Sequence, residues 1–184
     1  MNVTDWHFYE WTTSIGLLIG FLVAIGTIAL ATVAFKTIRH TSREYRNRQL
    51  NEILEWAKSA REYDFTKEDR DRLENSKQPW AESYLIITSH GEIVMNILRT
   101  GYVMSKVALV FNRKSLDEKI KGLMTELLNT HIHLGELRGQ INFSAVQTPP
   151  NFIAALDNLN IQKGKLRQAA EDVVTEIGEL IPNL

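Results

Sequence analysis

One stretch limits what this chain can fold into more than any other. Residues 11–35 read WTTSIGLLIGFLVAIGTIALATVAF and contain no charged side chain. An α-helix rises about 1.5 Å per residue and the hydrocarbon core of a bilayer is about 30 Å thick, so ~20 apolar residues reach across it. The run exceeds that length, and its predicted state is a single membrane-spanning helix. Residues 1–10 contain Asp5 and Glu10 and neither Lys nor Arg. A secretory signal peptide has a basic leader, a shorter apolar core and a small-residue cleavage site. The expectation is therefore an uncleaved anchor preceded by a short external tail. Trp6, Phe8, Tyr9 and Trp11 border the run, where rings with a polar edge suit the headgroup level.

The flanks also give a direction. Lys36, Arg39, Arg43, Arg46 and Arg48 follow the run, opposed by Glu44 alone. Lys and Arg close to a membrane segment stay on the cytoplasmic side, so residues 1–10 are expected outside and the C-terminal bulk in the cytoplasm. The same cations are placed to meet anionic headgroups, at roughly 1 kcal/mol each. Membrane lipids are thus the first expected partner. Within the run, Gly16, Gly20, Ala24, Thr27 and Ala31 fall on one helical face. A stripe of small residues lets two helix backbones approach closely, so a homo-oligomer or pairing with another membrane protein is expected there.

Beyond the run, Gly and Pro are missing between Gly26 and Pro79. The helix is predicted to continue as a basic juxtamembrane stalk over residues 36–62, ending near Arg61 or Glu62. Leu50, Ile53, Leu54, Ala57 and Ala60 repeat at three- and four-residue steps, giving residues 50–60 an apolar face. Residues 63–78 form a charged connector in which Thr66 and Asp69 have the spacing of a capping box. Residues 79–184 are predicted to be a helical bundle on which the stalk face packs. Its first helix opens at Pro79 and runs from Trp80 to about Phe111. One seam of this helix carries Trp80, Tyr84, Ile87, Val94, Leu98 and Ala108, with Gly91, Gly101 and Ser105 in its gaps. A second face carries Ile86, Ile93, Ile97 and Met104. His90, Glu92, Arg99 and Lys106 make this helix a poor membrane span.

Ser115 and Glu118 have capping-box spacing at the start of the next helix. Leu116, Ile120, Leu123, Leu127, Leu134, Leu137 and Ile141 then follow a coiled-coil-like alternation of four and three, interrupted at Thr130. Asn142 to Asn151 reads as a loop, with Thr148 and Pro149 opening a last helix that runs to about Ile181. That helix repeats the alternation from Phe152 to Leu180 with Lys163 as the exception. The predicted fold class is all-α: one transmembrane helix continuing into a stalk, then an up-and-down bundle of about four helices.

Chemistry is sparse. The chain has no cysteine, which excludes disulfides, thiolate metal sites and thiol nucleophiles. A net charge of −1 and a membrane-proximal basic cluster give no nucleic-acid footprint. No Gly-rich phosphate loop is present, and no cofactor is expected. His131, His133 and Glu136 are the one cluster with metal-ligand chemistry; His133 and Glu136 share a helical face, whereas His131 points elsewhere. Arg99 and Lys106 share a face and have Glu118 or Glu126 as prospective partners. The expected function is a non-catalytic membrane-anchored scaffold, interaction or signalling adaptor. The alternative is a membrane-tethered metal- or ligand-binding bundle enzyme. A pore component would need many copies of a span that has no ionisable lining.

Overall fold

The computed structural model of the chain is all-α and describes residues 3–74, 80–141 and 150–181, with side chains over 21–74, 81–141 and 151–181. Expectations resting on the side chains of Trp6, Phe8, Tyr9, Trp11 and Trp80, on the pair Gly16 and Gly20, on Pro79, and on the loop after Ile141 with Thr148 and Pro149 lie outside the described residues. The helices are α1 (Val3–Glu62), α2 (Lys67–Glu74), α3 (Trp80–Ala108), α4 (Lys114–Gly139) and α5 (Pro150–Leu180), with a 3-10 turn at Leu109–Phe111. The chain divides into two compact units, Met1–Arg46 and Asn47–Leu184.

In the first unit, residues 3–10 already belong to α1. From Phe21 onward the side chains are bare: Phe21 is 68% and Leu30 73% exposed. The helix is long and apolar enough to cross a membrane by length and composition, a test that a signal sequence also passes. Three of its threonines bond back onto the helix backbone. Thr27, Thr32 and Thr37 donate their hydroxyls to the carbonyls of Val23, Ile28 and Val33 at 2.8, 2.8 and 3.0 Å. This satisfies each hydroxyl within the helix itself. Ala24, Thr27 and Ala31 are exposed. Lys36, Arg39, Arg43 and Arg46 are exposed as well, and His40 meets Glu44 at 3.4 Å.

In the second unit four helices pack as a bundle: the end of α1 with α3, α4 and α5. Adjacent members run antiparallel. Trp56 of α1 bonds Ile97 of α3 while Tyr63 packs on His90, so the two numberings move in opposite directions. Arg61 with Glu171, and Asp64 with Lys163, fix the same relation between α1 and α5. Lys119 with Glu176, and Glu126 with Gln162, do so for α4 and α5.

The core follows the apolar spacing. On α1 it takes Leu50, Ile53, Ala57 and Ala60 as expected, and adds Trp56. Trp56 packs against α3: its Nε1 donates to the Ile97 carbonyl at 2.8 Å. A Cβ placed on Gly101 would come within 2.5 Å of that indole, so only glycine admits the ring there. Gly91 is different, since a Cβ there would meet nothing within 4 Å. On α3 the buried line is Ser83, Ile87, Val94, Gly101 and Ala108, whereas Tyr84 and Ile93 face outward.

The α4 seam is unbroken. Thr130 is fully buried within it and donates its hydroxyl to the Glu126 carbonyl at 2.7 Å. On α5 the gap assigned to Lys163 is filled by Gln162, which is buried and donates its amide to the Glu126 carboxylate at 2.6 Å. Lys163 swings aside to Asp64, 2.6 Å away.

The connector carries a true helix. Thr66 Oγ1 accepts from the Asp69 N–H at 3.0 Å and the Asp69 carboxylate accepts from the Thr66 N–H at 3.3 Å, the reciprocal capping box. Leu73 is fully buried and Arg70 reaches Asp157 of α5 at 2.7 Å, so α2 lies on the bundle. The box expected at Ser115 does not form. Helix α4 begins at Lys114 with no side-chain cap, and Ser115 donates to Glu176 at 2.9 Å.

Candidate functional site

Helices α3 and α4 part along their outer edge. Gly91 and Gly135 sit on opposite sides of the gap, and a Cβ on either would touch nothing within 4 Å. A cleft of about 190 Å³ results, lined by Ile87, Thr88, Glu92, Met95, His131, Leu134 and Arg138 beside the two glycines. Two of its polar atoms, Thr88 Oγ1 and His131 Nδ1, are buried without a hydrogen-bond partner. Buried polar groups usually find one, so an orphan pair on one cleft marks it out. Further along the same helix pair lies an apolar groove of about 530 Å³ formed by Met95, Leu98, Tyr102, Met124 and Leu128, with Arg99 and Lys121 at its sides.

A second cluster forms where α1 ends. His90 packs edge-on to Tyr63 and against Phe65, with ring centroids 5.8 and 4.8 Å apart, and its Nε2 lies 3.4 Å from the Asp69 carboxylate. Tyr63 Oη and His90 Nδ1 are buried without partners. Burial, then the carboxylates of Asp64 and Asp69, push the Tyr63 phenol up. Burial alone would raise Asp69, but the Thr66 hydroxyl and amide and the nearby His90 outweigh it and hold that carboxyl below its ordinary value. Elsewhere, the contact of Lys119 with Glu176 at 2.6 Å lowers Glu176 by its hydrogen bond against the opposing effect of burial, with Ser115 adding to it.

The three candidate metal ligands are not brought together. His133 meets Glu136 at 2.9 Å on the outer face of α4, while His131 lines the cleft with α3. Among the described residues no group of three or more His, Asp or Glu side chains is arranged to hold a metal. Arg99 lines the groove, and Lys106 lies over the Tyr102 ring, 4.6 Å from its centroid. Glu118 instead meets Lys114 at 3.7 Å and Glu126 takes Gln162.

Sequence reasoning treated His90 as one of several charges and missed its cluster. The available signal was its position three after Ile87 and four before Val94, which sets it beside the seam. No protein-family model, curated protein or solved structure matches the chain.

Proposed function

We propose that this protein is a single-pass, membrane-anchored helical-bundle adaptor. Residues 11–35 span the bilayer, the N-terminus is outside, and the bundle binds protein partners on the cytoplasmic face without catalysing a reaction. The observation that carries this reading is the contrast between a bare apolar helix and a packed bundle in one chain. Each large apolar side chain left in water forgoes roughly 1.5–3 kcal/mol of burial. Lipid removes that penalty, and the internally bonded threonines are compatible with it. The positive residues from Lys36 to Arg48 support the orientation. The Ala24, Thr27 and Ala31 face supports pairing with a second copy or another membrane helix. The groove on α3 and α4, with Met95 and Met124 in its lining, supports protein binding, because methionine adapts its shape to partners.

The test is isolation of the tagged full chain from membranes after crosslinking, with identification of what accompanies it. Recovery in the membrane fraction, resistant to carbonate, with a reproducible protein partner is the expected result. Recovery in the soluble fraction would end the anchor reading. A second reading, small-molecule binding, is favoured by the unpartnered Thr88 and His131 atoms on the cleft. Filling it with Gly91→Leu separates the two: partner recovery persists if the bundle is an adaptor through its groove and is lost if the cleft controls it.

A further inference from the structure

We infer that the cleft between α3 and α4 binds a small zwitterion whose carboxylate and ammonium are joined by one ring or a short chain. Arg138 and Thr88 receive the carboxylate, and Glu92 and His131 receive the ammonium. The inference rests on the small-molecule reading of this cleft and adds the class of ligand.

The pairing of the two helices sets these groups at different levels. Helices α3 and α4 run antiparallel, and a Cβ on Gly101 would lie 3.3 Å from the Met124 side chain, so those two residues are level. Near-equal steps from that point, back along α3 and forward along α4, bring Thr88 level with Arg138 and Met95 level with His131. Thr88 and Met95 are about 10 Å apart along the helix, with Glu92 between them. All five residues line the cleft. One end thus offers the Thr88 hydroxyl and the Arg138 guanidinium, a group that only donates. Toward the other end stand the Glu92 carboxylate, which only accepts, and His131 Nδ1, an acceptor when the ring proton is on Nε2.

These polar groups have no answer among the described residues. Thr88 Oγ1 and His131 Nδ1 are buried without hydrogen-bond partners. Glu92 and Arg138 are exposed, and among the described residues neither takes an ion-pair partner, the other included. Gly91 and Gly135 leave room for the body of a ligand: a Cβ on either would meet nothing within 4 Å. Ile87 and Leu134 supply a buried apolar wall. A cavity of ~150 Å³ holds benzene, so the cleft of about 190 Å³ takes one ring with its substituents. A lone anion would set its charge beside Glu92, and a lone cation would set its charge beside Arg138. A zwitterion gives both charges and both orphaned atoms a partner of the matching kind.

The test uses the full chain in lipid nanodiscs near neutral pH, with isotope-labelled methionine methyl groups read by NMR. Met95 lines both the cleft and the neighbouring groove, whereas Met124 lines the groove alone. The probes share one ring: para-aminomethylbenzoate, para-toluate, para-methylbenzylamine and para-methylbenzyl alcohol. The zwitterion should move the Met95 resonance saturably, leave Met124 in place, and bind at least about tenfold more tightly than the others. Arg138→Gln should weaken the zwitterion and the toluate by about tenfold and spare the amine, and Glu92→Gln should weaken the zwitterion and the amine and spare the toluate. Gly135→Leu should abolish the Met95 response. The two charge variants lie on exposed positions and carry the test if Gly135→Leu unfolds the bundle. If a singly charged or neutral probe binds as tightly as the zwitterion at Met95, the ligand class is wrong and the small-molecule reading stands. Movement of Met124 together with Met95 puts binding in the groove and overturns the site. If no probe moves Met95, the ligand class and the small-molecule reading both fall.

Discussion

The two lengths of α1 use the same backbone under opposite rules. Between Phe21 and Phe35 apolar residues occupy every side of the helix and none is buried. Between Gln49 and Ala60 they occupy one side, and Leu50, Ile53, Trp56, Ala57 and Ala60 are buried. A helix apolar all round asks for a solvent that is itself apolar, whereas a striped helix asks for neighbouring helices. Length and saturation identify the first kind of segment, and period identifies the second.

Substitutions can break this contrast from either side. The largest effect is expected from Trp56→Ala, which removes a buried ring and its hydrogen bond and should cost the bundle about 3–5 kcal/mol in chemical denaturation. Next is Ile28→Lys. It should weaken membrane insertion by about 2.5–3.5 kcal/mol, read from the membrane-bound fraction. The denaturation midpoint of the bundle should not move, and a shift there would show that the two lengths are not independent.

Gly101→Ala should destabilise the bundle by about 1–3 kcal/mol through overlap with the indole. Gly91→Ala should be neutral to stabilising, since a Cβ there meets open space and alanine favours the helix by up to ~1 kcal/mol. Thr66→Ala should cost about 1 kcal/mol through loss of the cap on α2.

The smallest effect is a response to acid. Asp69 and Glu176 are held below their ordinary values of 3.8 and 4.5. Their contribution is fully present above those values and is lost as pH falls through the depressed folded ones. Asp69→Asn should flatten that part of the stability profile between pH 5 and the acid limit, as followed by circular dichroism.

Much of this architecture was legible because it rests on period and punctuation. Leu116 through Ile141 and Phe152 through Ile177 pack on the faces their spacing marked. The Thr66–Asp69 box forms because both partners lie within one helical turn. What failed depended on partners distant in the chain. Ser115 had the spacing of a cap, but α4 starts at Lys114 with Arg113 at the cap position, so Ser115 lies inside the helix and its hydroxyl donates to Glu176 of α5. Gly91 and Gly101 were indistinguishable on the seam until Trp56 occupied one of the two spaces. Lys163 marked an interruption that Gln162 fills, because a one-residue rotation places an amide rather than a charge inside. The cleft could not be read at all, since it arises from two glycines on different helices.

The layer made by Glu126, Thr130 and Gln162 has a mechanical consequence. Without it, the α4 and α5 seams would be near-uniform apolar tracks, along which a seven-residue slip exchanges one leucine for another. With it, such a slip would carry the Gln162 amide away from both Glu126 acceptors and against leucine side chains. The layer acts as a detent. Axial sliding of α5 along α4 is the motion that this layer opposes.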